Sequence, residues 1–262
     1  MKPFCIIKTA LLFTTLFIAA WVLNPALSEA REKQEITISL GGGWAPYLIT
    51  DPSKSGFPGT GEGILMDIFK KISEKLGYTV KTASYPEKRD IAMLENGLID
   101  FRFDGLEWVD NPDRYFWSDP ILRVDDVLVS RKASPIRFNN LDELRNITVI
   151  THLGYTYPTL DPYFSSGRLT RSDTPSHCYM LKMLKGKRGD AAVMNKLVAL
   201  WTLKRHRSLS GSDFTFSKPI DSSGLALMYT DTKWHGFIKD FNRELSRLKA
   251  DGRVTEILNH YK

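Results

Sequence analysis

Between residues 64 and 76 the apolar side chains Ile64, Leu65, Ile68, Phe69, Ile72 and Leu76 recur at the three- and four-residue spacing of one helical face. Lys70, Lys71, Glu74 and Lys75 lie off that face, and Gly77 follows as a helix-ending residue. On either side the period changes, and residues 36–40 and 78–83 read as strands. A second helix opens after Tyr85-Pro86 and closes at Asn96-Gly97, and 98–103 (LIDFRF) is a third strand. This β-α-β-α-β order predicts a sheet of parallel strands flanked by helices. A strand at 124–130 follows, and then the pattern restarts. It predicts a short helix at 141–145, a strand at 147–151, a helix at 176–185, a strand at 189–194 and a helix at 196–204. Two short strands, 214–216 and 224–229, precede a long helical region with Trp234, Phe237, Ile238, Phe241, Leu245 and Leu248 on one face, broken at Gly252.

The strands empty into loops with chemistry. The first leads to Gly41-Gly42-Gly43-Trp44-Ala45-Pro46-Tyr47, where three glycines permit close backbone approach. The second leads to Tyr85, and the third to a polar loop carrying Glu107, Trp108 and Arg114. In the second half, 147–151 leads to His152-Leu153-Gly154-Tyr155-Thr156. Open α/β sheets bind ligands beyond the carboxyl ends of their strands. Gly97-Leu98-Ile99-Asp100 and Gly189-Asp190-Ala191-Ala192 echo each other, which suggests two similar α/β lobes with a site between them.

The N-terminus changes the compartment. Lys2 and Lys8 precede the apolar run 9–23, Pro25 breaks it, and Ser28-Glu29-Ala30 supplies small residues for cleavage, the pattern of a signal peptide over 1–30. The run is about fifteen residues, short of the roughly twenty a membrane-spanning helix needs. Removing Lys2, Lys8 and Glu29 lowers the formal charge of +6 by one. The Lys and Arg residues are scattered, so no nucleic-acid partner is expected. Of the two cysteines, Cys5 lies in the leader, which leaves Cys178 without an intrachain partner. The five histidines lack metal-ligand spacing and no G-x-S-x-G is present, so neither a metal nor a catalytic serine is expected. Gly59-Thr60-Gly61-Glu62-Gly63 lacks the strand and the spacing of a dinucleotide fingerprint.

A series of motifs then runs in a familiar order: Trp44-Ala45-Pro46-Tyr47 after a strand; Gly63-Ile64-Leu65-Met66-Asp67 opening a helix that ends in Leu76-Gly77; Leu94-Glu95-Asn96-Gly97-Leu98-Ile99-Asp100; Arg114 before Trp117-Ser118-Asp119-Pro120; Leu141-Asp142-Glu143-Leu144-Arg145 leading to Gly154; Arg188-Gly189-Asp190-Ala191; and Leu248-Lys249-Ala250-Asp251-Gly252-Arg253-Val254. Together they resemble the family 3 solute-binding proteins of ABC importers, the amino-acid-type binders, over nearly all of residues 36–261. The resemblance implies an α/β, two-lobed periplasmic-binding-protein fold of type II, each lobe a mixed, mostly parallel sheet flanked by helices. Lobe one would be 31–129 with 225–262, lobe two 130–224 with both hinge crossings, and the ligand would sit between them.

Carried over residue by residue, the resemblance places Trp44 where the family stacks an aromatic ring on its ligand, with Tyr47 and Tyr85 in the neighbouring loops. Asp104, Glu107 and Trp108 fall on the stretch that supplies polar contacts. Arg114 or Arg102 would clamp a carboxylate by paired hydrogen bonds. Tyr155 and Thr156 meet the ligand from lobe two. Asn195 stands where many amino-acid binders carry an Asp for the ammonium group, and Glu107 either replaces that acid or selects a cation. The implied protein is a periplasmic monomer that binds a small polar solute, an amino acid or related amine or carboxylate, without cofactor or turnover, and hands it to a membrane permease. An exported dehydratase on the same fold, with Glu107 as general acid, and a sensory binding module are the alternatives.

Overall fold

The structure, a computed structural model, describes residues 34–50 and 61–261. The signal peptide expected over 1–30 lies outside the described residues. Among the described residues nine strands form one mixed sheet in the order β2-β1-β3-β9-β5-β8-β6-β7, with β4 added to β9.

In the first half, β1 (Glu35–Ser39) lies parallel to β2 (Thr79–Ala83) and to β3 (Phe101–Gly105). Helix α1 (Ile64–Lys75) follows β1, and α2 (Glu87–Glu95) joins β2 to β3. Helix α1 buries Ile64, Leu65, Ile68, Phe69 and Ile72, the stripe its sequence predicts, and Gly77 follows it at φ 86°. Phe69 sits among Phe101, Phe103, Phe237 and Phe241, with ring centroids 5.9–6.2 Å apart. The last two rings come from α6 (His235–Ala250), which returns to this half with α7 (Arg253–His260) after the break at Gly252, φ 74°.

In the second half, β6 (Thr148–His152) lies parallel to β7 (Thr170–Thr174) and β8 (Ala191–Asn195). These strands carry α3 (Asp161–Ser165), α4 (His177–Lys185) and α5 (Lys196–Arg205). Strand β7 and helix α3 escape sequence reading because their sequences, TRSDT and DPYFS, show no apolar alternation. Among the described residues β7 pairs only with β6, and a polar strand suits such an edge.

Two long strands run through the middle: β5 (Leu122–Arg131) and β9 (Phe214–Tyr229), antiparallel to each other. The short β4 (Phe116–Trp117) pairs with the end of β9. The sequence predicts two short strands where β9 is a single one of 16 residues. Pro219, which argues for a break, lies opposite Val127 where the register shifts. An irregular position tolerates the missing N–H of proline.

Candidate functional site

The strand directions define the site. β3 reaches its carboxyl end at Gly105, opposite Leu225 of β9. β8 reaches its carboxyl end at Asn195, opposite Asp126 of β5, and Asp126 faces Asp221 of β9. β3 and β8 run in opposite directions, so their ends point toward each other across the stretch of β9 from Asp221 to Leu225. That is roughly 13 Å of strand. The floor between them is built from 122–126 of β5 and 221–225 of β9.

The first wall is aromatic. After β1 the chain turns so that Trp44 N–H donates to Leu48 O at 2.7 Å and Leu48 N–H returns to Trp44 O at 3.0 Å. Trp44 stacks on Tyr47 (centroids 4.5 Å, 29°) and meets Trp108 edge-on (5.9 Å, 88°). Trp44 and Trp108 are half-buried, whereas Tyr47 is buried. The Trp108 ring lies over Gly105, where an added Cβ would come within 2.7 Å of it. The loop is tied to α1: the carbonyls of Pro46 and Tyr47 accept the N–H groups of Ile64 (3.0 Å) and Leu65 (3.1 Å), satisfying donors a helix start leaves free. Gly63 permits this approach at φ 118°, with a Cβ there 2.5 Å from Tyr47 O. Gly63 thus contributes a close backbone approach just before α1.

The second wall rises from β6 and α4. His152, at the end of β6, lies 4.1 Å from the Tyr155 ring and 4.6 Å from His177. Burial pushes both histidines down, His177 to about 4, with His152 as the second cause there. Both are therefore neutral near pH 7. Tyr155 and Thr156 are exposed. Tyr157 is buried, and its hydroxyl accepts the His152 N–H at 2.9 Å.

Asn195 joins the walls. Its Oδ1 accepts the Tyr47 hydroxyl at 3.1 Å and the N–H groups of Leu197 (3.0 Å) and Val198 (3.3 Å), so it caps α5. Its Nδ2 donates to Asp125 O at 3.2 Å. The residue is 5% exposed and both ends of its amide are engaged. An Asp there would keep the cap and lose the donor, which accounts for the amide.

The floor is acidic, and sequence reading of the site misses it. Asp125 accepts the Ser222 hydroxyl at 2.5 Å, and Asp221 accepts the Ser222 N–H at 2.8 Å. The carboxyl of Asp126, partly exposed and cross-strand from Asp221, makes no hydrogen bond or ion pair with any described residue. Burial first, then Asp221 and Asp125, push it up to about 7. It also helps to raise the Tyr47 and Tyr157 hydroxyls, for which burial is the main cause. The available signal was Asp125-Asp126 inside the strand VDDVLV, since adjacent aspartates are unfavourable in a strand.

The remaining sequence candidates fall elsewhere. Arg102 is 4% exposed, its guanidinium 2.8 Å from Asp104 and 3.5 Å from Asp90, which also accepts the Ser39 hydroxyl. Asp104 takes the Gly105 N–H as well (2.8 Å). Arg114 is exposed and lies 3.4 Å from Glu95, at the end of α2 that leads into the start of β3 and so away from the carboxyl ends. Tyr85 is half-buried, with the Arg89 guanidinium 5.5 Å over its ring. Glu107 is exposed on the turn that carries Trp108. The structure therefore brings Trp44, Tyr47, Trp108 and Asn195 together, sets Tyr155 and Thr156 on the facing wall, and withdraws both arginines. Among the described residues no three His, Cys, Asp or Glu side chains are grouped to hold a metal, and no helix is long and apolar enough to cross a membrane.

Residues 36–262 match the family model of the bacterial extracellular solute-binding proteins, family 3. No curated protein matches the sequence. Among solved structures the fold is similar to an arginine 3rd transport system periplasmic binding protein from Legionella pneumophila (18% identity, 87% of this chain and 100% of that one, TM-score 0.66). It is similar to a histidine kinase sensor domain with similarity to periplasmic binding proteins (18%, 88% and 97%, TM-score 0.68). It is also similar to an ancestral amino-acid-binding protein, a precursor of cyclohexadienyl dehydratase (15%, 89% and 97%, TM-score 0.66). At these identities the likeness is one of fold: the two-lobed architecture of periplasmic binding proteins.

Proposed function

Because the chain belongs to the bacterial extracellular solute-binding proteins of family 3, we propose that it captures a small polar solute between its two halves and delivers it to the membrane permease of an ABC importer. The observation that carries this reading is the pair of opposed strand ends over a shared floor, with aromatic rings on one wall and Tyr155 and Thr156 on the other. On this reading 31–129 with 225–262 form lobe one and 130–224 lobe two, β5 and β9 are the hinge, and Tyr47 to Asn195 is a latch beside it. Hinge closure would bring Trp44 and Trp108 toward Tyr155 and Thr156 around the solute. The protein works as a monomer in the periplasm after removal of 1–30, and it releases the solute unchanged.

A thermal-shift screen of amino acids, amines, small carboxylates and sugars tests this. A ligand at a hundred times its Kd stabilises the folded state by about 2.7 kcal/mol, on the order of 5–10 °C for a chain of this size. At least one class should give that shift and be recovered without a product. No shift across the screen overturns the reading, and turnover of the ligand replaces it with the dehydratase alternative.

A further inference from the structure

We propose that the cleft selects a cation, an aliphatic amine or guanidine without a required carboxylate, and seats its positive head on Asp126 at the hinge. This rests on the solute-binding reading and specifies the ligand of that same cleft.

Three observations carry it. First, the two arginines expected to clamp a carboxylate are committed, and Arg123, exposed on the same stretch of β5, lies an odd number of residues from Asp126 and so on the other face of the strand. Arg102 faces Asp90 and Asp104, and Arg114 is beside Glu95 outside the cleft. On the second wall Arg171 holds Asp161 (3.4 Å), Asp173 (3.0 Å) and the Tyr155 carbonyl (2.8 Å). Second, the groups around Asp126 leave its charge unanswered. They are the Tyr47 hydroxyl from the first wall, Tyr157 from the second, Asn195 at the end of β8, and Asp125 and Asp221 on the floor. None is cationic, and burial pushes down the two histidines of the second wall. Asp125 and Asp221 each accept one hydrogen bond from Ser222, whereas Asp126 accepts none from any described residue. A carboxylate largely withdrawn from water is stabilised by a partner or a proton. A bound cation supplies the partner. Third, Trp44 and Trp108 are half-buried aromatic rings on the first wall, and a cation–π contact with either would add to a carboxylate contact.

The test uses matched pairs that differ only in the carboxylate: arginine against agmatine, and lysine against cadaverine. They are titrated into the purified protein by calorimetry, alongside glutamate, succinate and glucose. The decarboxylated member of at least one pair should bind as tightly as its amino acid or more tightly. Asp126→Asn should weaken that binding by about 30-fold or more, as loss of a charge-assisted contact does, while circular dichroism stays unchanged. Cation binding requires the ionised carboxyl, so wild-type affinity should rise about tenfold from pH 6 to pH 8. That rise should vanish in Asp126→Asn. Binding of arginine or lysine with loss of the decarboxylated partner would restore a carboxylate clamp and overturn the proposal. Binding of glutamate, succinate or glucose alone would overturn it too, while leaving solute binding intact. Silence across the whole panel and the broader screen overturns both.

Discussion

Asp126→Asn should make the protein more stable in neutral and alkaline solution, and not in acid. The carboxyl of Asp126 is pushed up to about 7, first by burial and then by Asp221 and Asp125; in an unfolded chain an Asp titrates near 3.9. The folded state therefore holds this proton more tightly. Its contribution is fully present below about pH 4 and is lost as the pH rises through about 7, because the folded state binds more protons across that window. A gap of about three pH units corresponds to roughly 4 kcal/mol. Asp126 keeps contact with solvent, and screening reduces this to about 2 kcal/mol. Asn has the same shape and no charge. Urea unfolding followed by tryptophan fluorescence at pH 4 and pH 8 gives the comparison by linear extrapolation. The variant should match the wild type at pH 4 and exceed it by about 2 kcal/mol at pH 8. A variant equal to or weaker than the wild type at pH 8, or a difference independent of pH, would refute the claim that Asp126 is held uncompensated.

Asn195→Ala removes the α5 cap, the Tyr47 acceptor and the donor to Asp125 O, and should cost about 3 kcal/mol in the same assay. Asn195→Asp should lose less at pH 5 and more at pH 8, where it sets a further negative charge beside Asp126. Gly63→Ala forces a Cβ within 2.5 Å of Tyr47 O at φ 118° and should cost at least about 3 kcal/mol, measured as a lower urea midpoint. Trp44→Ala should lower unliganded stability by only about 1 kcal/mol, since the half-buried ring packs on Tyr47 and Trp108. It should abolish most of the ligand-induced thermal shift, and unfolding instead would make Trp44 a core residue.

The elements legible in the sequence are those whose burial has a period. The stripe of α1, the paired Gly97 and Gly189 turns, and the aromatic face of α6 all report a neighbour on one side only, and one-sided burial leaves a trace in the order of residues. Edge strand β7 buries little and leaves none. The site was legible only in part for a different reason. The position of Trp44 after a strand fixes that residue at a carboxyl end, whatever happens later in the chain. The roles of Arg102, Asn195 and Asp126 depend on partners far away in sequence: Arg102 on Asp90, Asn195 on Tyr47, Asp126 on Asp221. An arginine in a strand has the same one-dimensional appearance whether it faces a ligand or two aspartates.

That difference bears on how a cation would be held. An acid at position 195 would sit at the end of β8 and bring its charge to the ligand only as the second half approaches. Position 195 is instead a neutral amide fixed to Tyr47 and Asp125, and the unanswered acid is on β5, in the pair of strands common to both halves. If β5 and β9 are the hinge, as proposed, a charge there would face the cleft however far it is open, and attraction between cation and Asp126 would not depend on closure. Closure would then add contacts from Trp44, Trp108, Tyr155 and Thr156 to whatever the head carries behind it. On this arrangement the floor sets the sign of the charge, and the walls set the shape of the remainder.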